Sequence, residues 1–325
     1  MMNYETYKTQ INSAIEELKG LELYRLDSDR ELLKEAFDIL YKKEIFTLYK
    51  VDKSLHNEYK FILFSMLTPY SGSLAFLSIQ ILAANAIMAG NNFPKREKYF
   101  AKKSGIAINH LRAPVTVVSA TKTKGGYLLS GLLTWASGYK IFDTLLIGFH
   151  HDGREYEAMA EFKSSENFKV GEVATSFVGN SMATVNIELN DFFVPSEDVV
   201  SSQIMGNYTK NKSISKTVHF ALYGVGLGAV EALQDKEVQT SAKNQLESIK
   251  EQFLSTNSGE VMDRLRIELF TLIQSVITTG MVLYGGKSIL IEEQMQRYYR
   301  ELIMFNSNGL NNTIKGLFKE NFLSR

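Results

Sequence analysis

Trp135 is the only tryptophan in this chain of 325 residues, and it stands in Thr134-Trp135-Ala136-Ser137-Gly138, just after the Ser130-Gly131 turn. A flat π surface excludes water and a nearby hydroxyl donates hydrogen bonds, so the pair is suited to a ligand site. The same two residues also read as a core tryptophan and a turn serine. Five other positions carry chemistry of their own. His110 and Arg112, in the run Gly105 to Arg112, are able to bind phosphate, or they are surface residues. Gly285-Gly286 permits close approach of backbone to a ligand, or it marks a helix break between Leu283 and Ser288. His219 is a candidate base, although a lone histidine near an apolar helix face is more often structural.

Composition narrows the chemistry. Lys plus Arg and Asp plus Glu both number 36, so the net charge is zero. Nucleic-acid binding is disfavoured, since such domains carry a basic excess or stripe. The absence of cysteine excludes disulfides, thiolate metal sites and cysteine nucleophiles. The N-terminus has no apolar core of signal-peptide type, which favours a cytoplasmic protein. The most apolar region, Phe61 to Gly90, is interrupted by Pro69, Tyr70, Gln80 and Asn85, and reads as buried helices, not as a membrane span.

Three segments must position these residues. Residues 1–97 are read as a helical domain. Tyr7, Ile11, Ala14 and Leu18 recur at helical spacing, Ser28 with Glu31 predicts a capping box before Leu33, Phe37 and Leu40, and Leu74 to Met88 is apolar on most faces. Residues 98–200 switch to short strands. Asp152-Gly153 between two strand-like runs predicts a hairpin, and Ala183, Val185, Ile187 and Leu189 alternate with polar neighbours until Pro195. From 201 to 325 the helical period returns, with Val218, Leu222, Val225 and Ala229 in one helix and Leu265, Leu269, Leu272 and Val276 in another. Ser201 to Ser215 is read as a polar connection, and Asp235 to Ser258 as a polar helix or a mobile surface element.

The stretch Gly125 to Phe149, followed by Asn190 to Val200, resembles the middle β-domain of the acyl-CoA dehydrogenase superfamily. The order helices, strands, helices is that family's layout. The resemblance implies an α+β multidomain fold: an N-terminal helical domain, a central antiparallel β-domain and a C-terminal four-helix bundle. It implies a flavin, with FAD expected and FMN or a reduced flavin as alternatives. In the family a Trp-x-Thr/Ser unit covers the isoalloxazine and sets a hydroxyl near N5, which maps onto Trp135 and Ser137. Tyr284-Gly285-Gly286-Lys287, then Arg297 and Arg300-Glu301, resembles the segment that reaches the adenine of a neighbouring subunit's FAD. That implies a homodimer or homotetramer.

Three departures accompany the resemblance. The family's Thr-Glu-Pro-x-x-Gly-Ser-Asp loop should fall near Gly105 to Arg112 and is absent, leaving His110 and Arg112 to contact phosphate or flavin carbonyls. The family's carboxylate base should lie in Phe305 to Gly309, which has no acid, and its alternative location falls at Val218, beside His219. The Arg-x-x-Phe-Gly grip on the FAD pyrophosphate has no counterpart between Asp235 and Leu254.

The function the resemblance implies is a flavin-dependent oxidoreductase acting on a CH–CH group of an acyl thioester or related small molecule, with an acyl-CoA as the family's substrate partner. The alternatives are a flavin-dependent monooxygenase of the same fold, and a catalytically inactive scaffold or binding protein.

Overall fold

The computed structural model describes residues 3–112, 115–210, 216–310 and 312–324. Helix α1 (Tyr4–Leu18) opens on Asn3, whose side chain accepts the Thr6 N–H, and buries the stripe Tyr7, Ile11, Ala14, Leu18. Helix α2 (Arg30–Lys42) buries Leu33, Phe37 and Leu40. Its cap is Asp29, one residue after the serine the sequence favours. The Asp29 carboxylate accepts the Leu32 N–H at 3.1 Å, while the Ser28 hydroxyl turns back to the Arg25 carbonyl at 3.4 Å. An anion at a helix N-terminus also gains from the helix dipole, which favours aspartate there. Helices α3 (His56–Leu67), α4 (Gly72–Gly90) and α5 (Arg96–Phe100) complete the first helical segment. By length and composition α4 could cross a membrane, but most of it is buried inside the protein, as expected for a helix apolar on nearly every face.

Eight strands follow: β1 (Ser104–Ala107), β2 (Val118–Thr123), β3 (Gly126–Ala136), β4 (Thr144–His151), β5 (Arg154–Glu161), β6 (Phe168–Val173), β7 (Val185–Pro195) and β8 (Val199–Ile204). They form one sheet in the order β6-β7-β3-β2-β4-β5-β8, with β1 also paired to β4. Most pairs are antiparallel, while β1 and β2 run parallel to β4. The β4–β5 hairpin turns on Asp152 and Gly153, at φ +46° and +67°. Two successive positive φ values match the right-handed strand twist, which is why Asp-Gly serves here.

One edge of β4 is paired with β5 from Thr144 to His151. Strands β1 and β2 must therefore share its other edge, β1 opposite residues 144–147 and β2 opposite His150. The described residues between them, 108–112 and 115–117, have no ladder place. The chain passes close to β3: a β-carbon at Gly131 would lie 2.2 Å from the Val117 carbonyl oxygen. That contact requires glycine.

The chain returns to helices with α6 (Asn207–Lys210), α7 (Thr217–Glu231), α8 (Lys236–Ser255), α9 (Gly259–Tyr284), α10 (Gln294–Asn306) and α11 (Asn312–Leu323). Asp235 caps α8 through the Glu237 and Val238 amides. The two helical segments share a core. Phe61 of α3 meets Phe220 and Tyr223 of α7 at ring separations of 5.5 and 5.4 Å. Gly224 lets α7 close on α3, since a β-carbon there would sit 2.4 Å from the Phe64 carbonyl oxygen. Such approach is what mid-helix glycine provides, at a cost of roughly 1 kcal/mol in helix propensity.

Candidate functional site

The C-terminal end of β3 is irregular at one residue. Leu133 pairs with Ile187 and Ala136 with Val185, so β3 carries one residue more than β7 over this interval. Trp135 sits in this bulge at φ +59°, its N–H donating to Asn186 Oδ1 at 3.2 Å. Strand β6, on the other side of β7, bulges at the same level, between Val170 and Val173. A left-handed backbone costs an L-residue about 1–2 kcal/mol, and a bulge is a common way to re-aim a side chain. The indole is 68% exposed. The core-tryptophan reading is thereby removed: this is the largest aromatic side chain the chain possesses, held in a strained conformation and presented to solvent.

Ser137, two residues on, is buried. Its hydroxyl shares a hydrogen bond of 2.8 Å with the Thr184 hydroxyl. In such a pair one O–H donates to its partner, and the partner's own proton is left to donate elsewhere. The turn that follows is fixed from β7's side: Gly138 N–H donates to the Met182 carbonyl at 2.6 Å, and Tyr139 N–H to the Ala183 carbonyl at 3.4 Å. Gly138 has φ +86°, with no room for a β-carbon against Phe142.

His110 and Arg112 lie on the excursion between β1 and β2. His110 Nε2 donates to the Gly148 carbonyl at 3.0 Å, and burial lowers its pKa to about 4. It is a neutral, committed donor at neutral pH. Arg112 is exposed, with its guanidinium carbon 5.8 Å from the centre of the Tyr208 ring. Across from it is Gly309, in the turn between α10 and α11, where a β-carbon would lie 3.8 Å from Arg112 Nη1. Excursion loop and helical bundle thus meet at Arg112. The turn offers Ser307, Asn308 and Gly309 and no acid. It is fixed from beneath by Arg266, whose Nη2 donates to the carbonyls of Phe305, Asn306 and Asn308 at 3.0, 2.7 and 2.6 Å. Burial lowers the Arg266 pKa to about 10, so the guanidinium stays charged at neutral pH, facing the carbonyl end of α10.

His219 is placed inside the bundle. Its Nε2 donates to the Met262 carbonyl at 2.9 Å, its Nδ1 is buried without a partner, and burial lowers its pKa to about 4. A base must reach the proton it removes; this ring, enclosed against α9, is shielded from any diffusing molecule. Gly285, at φ +69°, and Gly286 stand on open surface at the end of α9, with nothing within 4 Å of a β-carbon on either. Around them Val282, Leu283, Ile289, Leu290 and Ile291 are all exposed. The structure therefore brings Trp135 and Ser137 together at the end of β3 and places Arg112 with Gly309 at the edge of the neighbouring excursion. Gly285, Gly286 and His219 lie elsewhere.

Sequence reading missed Asn186, Thr184 and Arg266. Asn186 sits on the polar side of β7 and Thr184 immediately before it, and neither carries a local mark. Arg266 does: it falls within the buried stripe Met262, Leu265, Leu269, Ile273, and a charge in an apolar stripe calls for a buried partner.

No protein-family model matches the sequence, and no curated protein matches it. Solved structures do. KijD3, in complex with FMN and dTDP-3-amino-2,3,6-trideoxy-4-keto-3-methyl-D-glucose, is 14% identical over 98% of this chain and 94% of its own, with a TM-score of 0.75. Butyryl-CoA dehydrogenase from Megasphaera elsdenii is 14% identical over 100% of both chains, with a TM-score of 0.72. The HsaA monooxygenase from M. tuberculosis is 14% identical over 98% of this chain and 97% of its own, with a TM-score of 0.70. Helices, an eight-stranded sheet and helices, matched over 98–100% of this chain by these proteins, are the fold of the acyl-CoA dehydrogenases.

Proposed function

We propose that the protein is a flavin-dependent oxidoreductase that holds the isoalloxazine against Trp135. The observation that carries this reading is the Trp135 bulge: an indole kept exposed at positive φ is suited to a planar ligand. Two of the groups described above suit a flavin. The Ser137–Thr184 pair has a proton to donate, and Arg112 supplies positive charge for a carbonyl or phosphate oxygen. When bound, the flavin supplies the two-electron chemistry; the indole covers one face and excludes water. KijD3, with FMN bound, supports a mononucleotide as one form of the cofactor, and FAD remains the form implied by the acyl-CoA dehydrogenase resemblance.

The turn Phe305 to Gly309 favours one class of reaction. Dehydrogenation of an acyl thioester needs a carboxylate there or near Val218; none is present at either place, and loss of a positioned base typically lowers the rate by ~10²–10⁴. Monooxygenation by a reduced flavin and oxygen makes no such demand, and the likeness to HsaA monooxygenase supports it. The exposed apolar group around Gly285-Gly286 supports a homo-oligomer; Ile289→Asp should shift the sedimentation of the protein toward monomer while leaving its circular dichroism unchanged.

The deciding experiment is titration of the purified protein with FAD, FMN and their reduced forms under anaerobic conditions, following quenching of its single tryptophan. Saturable quenching at one flavin per chain is expected, with binding itself, read by visible difference spectra, lost in Trp135→Ala. Failure of every flavin in both redox states overturns the proposal. Oxygen uptake by the reduced complex, against bleaching of the oxidised one by acyl-CoA, then separates monooxygenase from dehydrogenase.

A further inference from the structure

The turn that supports the Trp135 site is itself strained. Residues 179–183 hold Gly179 at φ +72° and Ala183 at φ +46°, and an alanine in that region persists only where its surroundings fix it. Those surroundings come from the far end of the sequence. Asp27, buried in the connection between α1 and α2, accepts the Gly179 N–H through Oδ1 at 2.6 Å. The same oxygen accepts the Ser73 hydroxyl at the start of α4, at 3.1 Å. Its Oδ2 pairs with Arg300 of α10, and Arg300 also donates to the Phe177 carbonyl at 3.0 Å. The backbone contributes as well: Ser181 N–H donates to the Asp27 carbonyl at 3.1 Å and Ser181 Oγ to the Leu26 carbonyl at 2.6 Å.

From this turn the bonds run directly to the site. Met182 and Ala183 present the carbonyls that hold Gly138 and Tyr139, Thr184 pairs with Ser137, and Asn186 holds the Trp135 amide.

We propose that Asp27 is a positioning residue for the Trp135 site, fixing the 179–183 turn so that β7 enters in the register that bulges Trp135 outward. Three elements then meet on one carboxylate: α4, α10 and the β6–β7 connection. A shift of α10 or α4 is transmitted to the indole through bonds of fixed geometry, not through the apolar core. Calling the indole's outer face a flavin surface rests on the function proposed above, whereas the bonding path does not.

The test uses the single tryptophan of the full chain without flavin. Asp27→Ala should lower the fluorescence anisotropy of Trp135 and raise its quenching by acrylamide. Ser181→Ala, which leaves no buried charge behind, should move both in the same direction by less. Asp27→Asn retains an oxygen for Gly179 and Ser73 and should restore the wild-type signature. Ile11→Ala, a core truncation in α1 far from this path, should lower stability without moving either signal. The proposal is overturned if Ser181→Ala, and Asp27→Ala where it folds, keep wild-type anisotropy and quenching, or if Ile11→Ala shifts them equally. In the flavin titration Asp27→Ala should raise Kd about tenfold or more, the scale of one buried charge-assisted hydrogen bond. Should wild-type protein bind no flavin, the functional reading fails while the anisotropy still decides the role of Asp27.

Discussion

Position 135 should reverse the usual order of alanine and glycine. In a strand glycine is normally the less stable of the two, because it loses more freedom on folding, by roughly 0.5–1 kcal/mol. At φ +59° alanine instead pays the left-handed penalty of about 1–2 kcal/mol, which glycine escapes. Both substitutions remove the same indole, so its modest burial cancels between them, and both keep the backbone N–H that Asn186 accepts. Trp135→Gly should therefore be more stable than Trp135→Ala by about 0.5–1 kcal/mol. Urea unfolding followed by far-ultraviolet circular dichroism measures the difference without needing the lost fluorophore. Both variants should lose flavin affinity to the same extent, because what binds is the indole and not the conformation that carries it. If alanine is the more stable residue, the backbone at position 135 is not strained and its conformation does not point to a ligand.

Two further perturbations address the surroundings. His219 has its pKa lowered by burial from 6.5 to about 4, so as pH falls the unfolded chain takes up this proton first. Its contribution to stability is complete above the unfolded value and is lost as pH falls toward the folded one, about 2 kcal/mol of it between about pH 7 and pH 5. Urea unfolding of His219→Gln should show a shallower loss over that interval than wild type, and an identical slope would refute the burial argument. Gly72, at the start of α4, donates its N–H to Glu301 at 2.7 Å, and a β-carbon there would lie 2.6 Å from Glu301 Cδ. Gly72→Ala should destabilise by about 1–3 kcal/mol through overpacking, whereas Gly90→Ala, at the open end of the same helix, should be neutral or stabilising by up to about 1 kcal/mol. Thermal unfolding of the two variants side by side tests both signs.

What was legible in the sequence was local. Asp152-Gly153 specified a hairpin because the dipeptide itself prefers the required backbone, and the alternation from Val185 to Leu189 specified which face of β7 is buried. Tyr7, Ile11, Ala14 and Leu18 fixed the inner face of α1 in the same way. Trp135 was marked by its rarity, but not its exposure: a bulge is a property of two strands in register, and Asn186, which holds it, stands 51 residues away. His219 was placed beside a site on the strength of its helix, yet the ring turns to Met262, 43 residues on. The Gly285-Gly286 pair marked a break in the helix pattern correctly, while the exposed apolar residues around it acquire meaning only once the ends of α9 and α10 are set side by side.

The same distinction explains why the chemistry at the α10–α11 turn is harder to read than its position. A family carboxylate missing from Phe305 to Gly309 leaves a segment whose residues announce nothing, and a turn with no acid could have relaxed into any shape. It has not, because Arg266 binds three of its carbonyls from a buried position, and a buried guanidinium can satisfy its donors only if those carbonyls stay where they are. The order of the turn therefore comes from a buried cation and backbone carbonyls, with Gly309 against Arg112, which is why no residue between Phe305 and Gly309 marks it in the sequence.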